Sequence, residues 1–241
     1  MRTTLSATKT PTLAPDASVG LHALLIERDR DRQARRRRQK RGLDILASLL
    51  LLTLLAPLMA TIALLIRIFD GGPVLYGSER MRTPQAGFYL WKFRTMAGEG
   101  ALQPSGGANA GRITPLGRVL RRTRLDELPQ LWNILRGDMS LVGPRPPLRE
   151  YVNRFPALYA RVLSVPPGLT GLATLKFHRH EAALLAGAKT RAAVDGIYAR
   201  RCVPRKARLD TIYARHSSVL FDLQIMWWTL LGLVNGSVRH R

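Results

Sequence analysis

Ile45-Leu46-Ala47-Ser48-Leu49-Leu50-Leu51-Leu52-Thr53-Leu54-Leu55-Ala56-Pro57-Leu58-Met59-Ala60-Thr61-Ile62-Ala63-Leu64-Leu65-Ile66 carries no charge from end to end. Its length matches the roughly 20 residues a membrane helix needs. A helix buried in a soluble core is the other reading, but such helices are rarely apolar on every side for so long. The fold therefore turns on how this run sits in a bilayer.

Two features argue against a plain crossing. Pro57 lies near the middle, removes the hydrogen bond to the Thr53 carbonyl and favours a break or kink. Both flanks are basic: nine Lys and Arg lie between Arg28 and Arg41, and Arg67, Arg80, Arg82, Lys92 and Arg94 follow. The positive-inside bias then keeps both ends in the cytoplasm. Each arm of about 12 residues is roughly 18 Å long, enough to enter one leaflet and return. The expectation is a kinked re-entrant helix, with the polybasic run on anionic lipid headgroups. A single span is the rival, since long domains can be translocated in spite of the charge bias.

Upstream, residues 1 to about 20 are rich in Thr, Ala, Pro and Ser without periodicity, and read as a disordered tail. The apolar run begins too late for a secretory signal. The expected organisation is a disordered, basic arm over 1–39, a re-entrant helix over 40–69 and a cytosolic domain over 70–241. The 241 residues carry 38 Lys and Arg against 16 Asp and Glu, a formal charge of +22. Such an excess calls for an anionic partner: nucleic acid, anionic lipid or a phosphorylated substrate. One cysteine, Cys202, excludes a disulfide framework or a cysteine metal site within the chain.

Downstream, Asp70-Gly71-Gly72-Pro73 is a turn. Val74-Leu75-Tyr76 and Phe88 to Phe93 read as short strands around a turn at Thr83–Gly87. Ala97 to Gly111, rich in glycine, is a loop that fits either a lid or slack chain. Thr114-Pro115-Leu116-Gly117 opens a helix to Arg122. Leu148–Val165 is helical, Leu172–Phe177 reads as a strand and Glu181–Tyr198 as a helix. Leu209–Leu233 is apolar and tryptophan-rich, and fits an interfacial helix or core packing equally. His178 and His180 lack the further ligands of a usual metal site.

The densest local signal is Arg121-Arg122-Thr123-Arg124-Leu125-Asp126-Glu127-Leu128-Pro129-Gln130-Leu131-Trp132-Asn133-Ile134-Leu135. Two adjacent carboxylates follow an arginine cluster and precede an apolar stripe of Leu128, Leu131, Trp132 and Leu135. A helix is expected to start here, with Pro129 in its first turn and Gly137 as its stop. Asp126 then reads as a simple N-cap or as part of a site. Gly143-Pro144-Arg145-Pro146-Pro147 is a proline-set loop presenting Arg145. That suits bidentate phosphate binding, or a salt bridge to Glu150 or Asp138.

Several stretches, in order from about residue 40 to the end, resemble the bacterial sugar transferases, monotopic phosphoglycosyl transferases. They are Lys40-Arg41-Gly42-Leu43-Asp44-Ile45, Gly72-Pro73-Val74, Lys92-Phe93-Arg94-Thr95-Met96 and Ile113-Thr114-Pro115-Leu116-Gly117-Arg118. Then come Leu125-Asp126-Glu127-Leu128-Pro129-Gln130-Leu131-Trp132-Asn133, Gly137 to Pro146, Pro167-Gly168-Leu169-Thr170-Gly171, Leu209-Asp210 with Tyr213, and Asp222-Leu223. The Asp-Glu-Leu-Pro-Gln block with the Gly-Pro-Arg-Pro loop is the most specific part. The chain departs from the family at Ala56, often Ser, and at Arg124, often Ser. It also departs at Leu172–Phe177, where a Trp-Gln-Val-Ser-Gly pattern is common. It looks like the minimal form, without extra N-terminal membrane helices.

The resemblance implies an α/β, mostly helical fold. A small cytosolic catalytic domain would sit on a kinked re-entrant membrane helix, with further interfacial amphipathic helices. It implies transfer of a sugar 1-phosphate from a UDP-sugar to a polyprenyl phosphate, usually undecaprenyl phosphate, with release of UMP, at the cytoplasmic face of the bacterial inner membrane. Asp126 would be the nucleophile through a covalent aspartyl intermediate. Glu127, with Asp126, would hold Mg²⁺, and Arg121 would lie near the phosphates. The residues agree with this. Mg²⁺ takes one or two carboxylates plus substrate phosphates, and Arg121, Arg145, Lys92 and Arg94 are candidate phosphate clamps. Membrane lipids are expected partners, nucleic acid is not, and a homodimer is compatible with the sequence. The rival class, a membrane-tethered protein that only binds nucleic acid or anionic lipid, leaves Asp126-Glu127 and the Arg145 loop without a purpose.

Overall fold

A computed structural model describes residues 17–97, 113–188 and 190–234. The tail expected to be disordered lies outside these residues up to position 16, as does nearly all of the 97–111 loop. The chain divides into two units, Met1–Gln39 and Lys40–Arg241. In the first, residues 17–39 are helical, so the last few residues of the tail read as disordered to about 20 already belong to the helix. Leu, Ala, Glu, Gln and Arg dominate that stretch, and all are good helix formers.

The first helix, α1, is Ala17–Leu65, followed by a π turn at Ile66–Asp70. Helix continues through Pro57, so the expected break is not one of secondary structure. Thr53 and Thr61 each donate a hydroxyl to the carbonyl four residues back, Leu49 and Pro57. Gln33–Asp70 is the stretch among the described residues long and apolar enough to cross a membrane. Only 11% of its most apolar window is buried. Leu50 and Leu54 are each 67% exposed, whereas Ile62 and Ile66 pack with Phe93 and Leu120. A core helix would not leave its leucines in this state.

Within the second unit, β1 (Leu75–Met81) and β2 (Gly87–Phe93) form an antiparallel hairpin with Leu75 opposite Phe93 and Met81 opposite Gly87. Then follow α2 (Pro115–Thr123), a 3₁₀ turn at Leu125–Glu127, α3 (Gln130–Arg136) and β3 (Ser140–Val142). The expected helix start at Asp126 is thus displaced. The two carboxylates occupy their own turn, and α3 begins after Pro129 without a side-chain cap.

The segment expected as one helix over Leu148–Val165 is two, α4 (Arg149–Arg154) and α5 (Pro156–Val162). Pro156 pushes Phe155 out of the helical region, to φ −132° and ψ 58°. Next comes β4 (Gly168–Thr170), parallel to β3. Gly143 permits this close approach, because a Cβ there would collide with the Pro166 carbonyl.

Leu172–Phe177 is not a strand. It opens α6 (Leu172–Leu185), with Leu172, Ala173 and Phe177 buried on one side. Asp210, distant in sequence, accepts a hydrogen bond from the Ala173 backbone at the start of this helix. The chain ends in α7 (Arg191–Ile197), α8 (Val203–His216) and α9 (Val219–Val234). On α9, Ile225 and Asp222 are buried while Leu220 (75%) and Trp227 (61%) stand in the open. The main core joins Phe88 and Leu90 of β2, Leu131 and Ile134 of α3, and Tyr213 and Ile225.

The matched residues at the start of the second unit fasten the apolar helix to this core. Lys40 bridges the Val142 carbonyl and Asp222. Arg41 donates to the Ile134 and Leu135 carbonyls, at the negative end of α3. Asp44 accepts from Ser140 Oγ and Leu141 N, each at 3.0 Å.

Candidate active site

The site is assembled from four short pieces held by backbone-directed side chains. Asn133, fully buried, accepts from Trp91 N at 3.1 Å and donates to the Tyr89 carbonyl at 2.8 Å, which ties α3 to β2. Thr114 caps α2 by accepting from Gly117 N at 2.9 Å. Gly117 lets that helix lie against the Thr95 carbonyl, where a Cβ would clash. Arg124 then ends α2 in the left-handed region, at φ 60°. A non-glycine residue there costs roughly 1–2 kcal/mol, and the sharp reversal turns Asp126 and Glu127 inward.

Both carboxylates are buried, and they line a cleft of about 930 Å³. Glu127 Oε1 accepts from Arg145 at 2.7 Å and from Lys92 at 2.9 Å, while Oε2 lies 3.6 Å from Arg124. Burial pushes its carboxyl up, but the charges of Arg145, Lys92 and Arg124 outweigh that and hold it well below the usual range. Asp126 differs from its neighbour. It has no hydrogen bond or ion pair among the described residues. Burial raises its pKa against the pull of Lys92, Arg121 and Arg145, with Glu127 adding to the rise. A carboxylate without partners, facing a cationic cleft, is a competent nucleophile.

Of the sequence-predicted residues, Asp126, Glu127, Lys92, Arg94, Arg121 and Arg145 all reach this cleft. Pro57 does not belong to it. Arg145 pairs with Glu127 rather than Glu150 or Asp138. Arg121 spends its Nε on Thr95 Oγ1 at 2.8 Å and keeps its remaining nitrogens. Arg94 is more committed: it donates to the Met96 and Asp70 carbonyls, both at 3.0 Å, so it braces the chain that leaves the π turn.

Sequence reasoning missed other lining residues. Arg80, Lys206, Glu181, Tyr198 and Asp210 also line the cleft. Lys206 donates to Glu181 at 2.9 Å and Tyr198 at 3.3 Å. Burial drives the Asp210 carboxyl up to about 7. Hairpin register offered the signal for Arg80. Tyr76 opposes Lys92 and Arg80 opposes Phe88, so two-residue alternation puts Arg80 on the face that carries Lys92.

No group of three or more His, Cys, Asp or Glu converges among the described residues. An all-protein metal cage is therefore not what this cleft offers. Two adjacent carboxylates beneath surplus cations instead suit ligands that bring their own anionic oxygens.

Residues 35–236 match the family described as bacterial sugar transferase. The chain is 40% identical over 141 residues to a UDP-N-acetylgalactosamine-undecaprenyl-phosphate N-acetylgalactosaminephosphotransferase of Aeromonas hydrophila, covering 56% of this chain and 33% of that protein. It is 35% identical over 211 residues to an undecaprenyl-phosphate glucose phosphotransferase of Komagataeibacter xylinus, covering 80% and 35%. It is 34% identical over 208 residues to the exopolysaccharide production protein ExoY of Rhizobium meliloti, covering 79% and 83%. The chain thus spans about a third of the first two relatives and most of the third.

Proposed function

The chain belongs to the bacterial sugar transferase family, and from that premise we propose that it moves a sugar 1-phosphate from a UDP-sugar to undecaprenyl phosphate and releases UMP. The observation that carries this reading is the unequal pair: Asp126 without a partner, beside Glu127 held by Lys92 and Arg145. Relatives whose names state phosphotransfer to undecaprenyl phosphate support the acceptor class.

In the first step an Asp126 carboxylate oxygen attacks the sugar-bearing phosphorus. The bond to the bridging oxygen breaks, and its electron pair leaves on UMP. The product is an acyl phosphate that carries the sugar. In the second step an oxygen of the lipid phosphate attacks the same phosphorus, and the Asp126 carboxylate is regenerated. Splitting the transfer lets two bulky substrates use one site in turn. Lys92, Arg121 and Arg145 lower the repulsion between an anionic nucleophile and an anionic diphosphate.

Mg²⁺ fits the donor set. It favours one or two carboxylates completed by phosphate oxygens, and it neutralises diphosphate charge when bound. Asp126 and Glu127 are the residues that would hold it. Glu127 already takes part in three ion pairs, so a share of its bonding to Arg145 or Lys92 would pass to the cation.

The apolar part of α1 serves as the anchor in this reading, entering one leaflet and returning at Pro57. The catalytic unit then faces the cytoplasm, and exposed Leu220, Trp227 and Leu230 of α9 lie in the headgroup region. An anchor of this kind keeps the cleft at the depth of a lipid phosphate. The decisive assay offers a panel of UDP-sugars with undecaprenyl phosphate and measures UMP. UMP release that requires one UDP-sugar and Asp126 supports the reading, and its absence across the panel sinks it.

A further inference from the structure

Among the cationic side chains that line the cleft are six from the hairpin, α2, its cap, the proline-set loop and the strand end: Arg80, Lys92, Arg94, Arg121, Arg124 and Arg145. Five of them have an acceptor in the protein. Lys92, Arg124 and Arg145 share Glu127, Arg121 has Thr95, and Arg94 has two carbonyls. Arg80 differs. Its Nε is buried without a hydrogen-bond partner, and no carboxylate pairs with it among the described residues. Glu79, next in sequence, is taken by Arg149.

A half-buried guanidinium whose Nε is buried and unpaired is unfavourable beside a second guanidinium unless an anion compensates it. Burial, then the charge of Arg145, lowers the Arg80 pKa to about 10. Among the described residues Tyr198 and Tyr76 offset this only in part. An anion received by the cleft would supply the missing partner.

The position of Arg80 says which part of a diphosphate that would be. Asp126 feels Lys92, Arg121 and Arg145. Arg80 feels Arg145, Tyr198 and Tyr76 instead. Arg145 is the neighbour common to both. One phosphate among Lys92, Arg121 and Arg145 lies within the reach of Asp126. Tyr76 opposes Lys92 and Arg80 follows Tyr76 by four residues on the same face, so the hairpin carries Arg80 further along the cleft wall, where a second phosphate bonded to the first would extend.

Resting on the transfer reaction above, we propose that Arg80 binds the phosphate of the departing nucleotide. As the bond to the bridging oxygen breaks, charge gathers on UMP, and the Arg80 guanidinium lies where it neutralises that charge. The ligand class is a nucleoside monophosphate, or that portion of a nucleoside diphosphate sugar.

The test measures UMP and uridine binding to the full chain in detergent micelles by calorimetry, for wild type, Arg80→Met and Arg80→Lys. Arg80→Met is expected to weaken UMP binding about 10- to 100-fold, as loss of a charge-assisted hydrogen bond does. Uridine, which lacks the phosphate, should bind all three alike. Arg80→Lys should recover part of the loss. The Tm of Arg80→Met should be equal to or above wild type, because a buried Nε without a partner is gone. UMP affinity within twofold of wild type in Arg80→Met overturns the proposal. So does an equal loss for uridine, a wild-type chain that does not bind UMP, or a Tm several degrees lower. UMP release by wild type is read separately: if UMP binds but no UDP-sugar yields it, the reaction fails while the Arg80 result stands.

Discussion

Arg145 donates to Glu127 Oε1 at 2.7 Å across 18 residues of chain. The same oxygen accepts from Lys92 at 2.9 Å, from 35 residues upstream. Glu127 is therefore the point at which hairpin, 3₁₀ turn and proline-set loop meet. Asp126, its neighbour in sequence, takes no part in this network. Two adjacent carboxylates thus come to have different work: one is held, the other is free to react.

Glu127→Gln removes the charge that three buried or half-buried cations share. Breaking a buried pair by removing one partner costs about 3–5 kcal/mol, and chemical denaturation should show a loss on that scale. If Mg²⁺ binds here, the Mg²⁺ concentration for half-maximal UMP release should also rise. An unchanged denaturation midpoint would contradict the structural role of this carboxylate.

Asp126→Asn leaves the fold in place, because the side chain has no bonded partner among the described residues to lose. Its Tm should lie within a few degrees of wild type. UMP release should fall at least about 10³-fold, as is usual for loss of a nucleophile, and no sugar-phosphate adduct should be trapped. Mass spectrometry of the protein after brief exposure to a UDP-sugar reads the adduct directly. Near-normal turnover would rule out the covalent route.

Asp210 sets a pH dependence of stability. Its pKa rises from 3.8 to about 7, chiefly through burial, so the native state keeps its proton longer than the unfolded chain does. Its contribution is whole below about pH 4 and is lost as pH rises towards 7. A shift of about three units corresponds to at most about 4 kcal/mol. Asp210→Asn should flatten the stability profile between pH 4 and 7 and stabilise the protein at pH 8. Urea denaturation at several pH values measures both.

The pH profile of turnover carries the signature of Asp126. Its pKa is raised, chiefly by burial, and only the carboxylate attacks. The rate should fall on acidification through a pKa above the ordinary aspartate range. Glu127, held well below that range, stays charged throughout. A rate that is flat down to the ordinary aspartate pKa would separate Asp126 from the titrating step.

Re-entry makes a topological prediction. With buried Cys202 replaced by serine, a cysteine introduced at Ser6 should resist a membrane-impermeant maleimide in intact cells and react after permeabilisation. Labelling in intact cells would identify a spanning helix instead.

Much of the site was legible in the sequence, because its parts are local patterns. The apolar run, the cap at Thr114, the adjacent carboxylates and the proline-set Arg145 each declare themselves within a few residues. The hairpin was also readable from its turn and aromatic strands. Misreadings arose where a distant residue decides the outcome. Leu172–Phe177 has a short apolar pattern that suits a strand, but Asp210 at the helix start and burial of one face make it helical. Asp126 looks like an N-cap until the left-handed Arg124 places it in a separate turn.

Sequence by itself determined the inventory: an apolar anchor, a cationic domain and two neighbouring carboxylates. Tertiary structure decided how they are divided. Which carboxylate is neutralised depends on Lys92 and Arg145, brought from distant positions by the hairpin and by the proline-set loop after β3. That the buried Arg80 Nε finds no partner among the described residues depends on the hairpin face that carries it. Burial and the reach of an ion pair act across a few ångströms of space, and chain separation does not encode them.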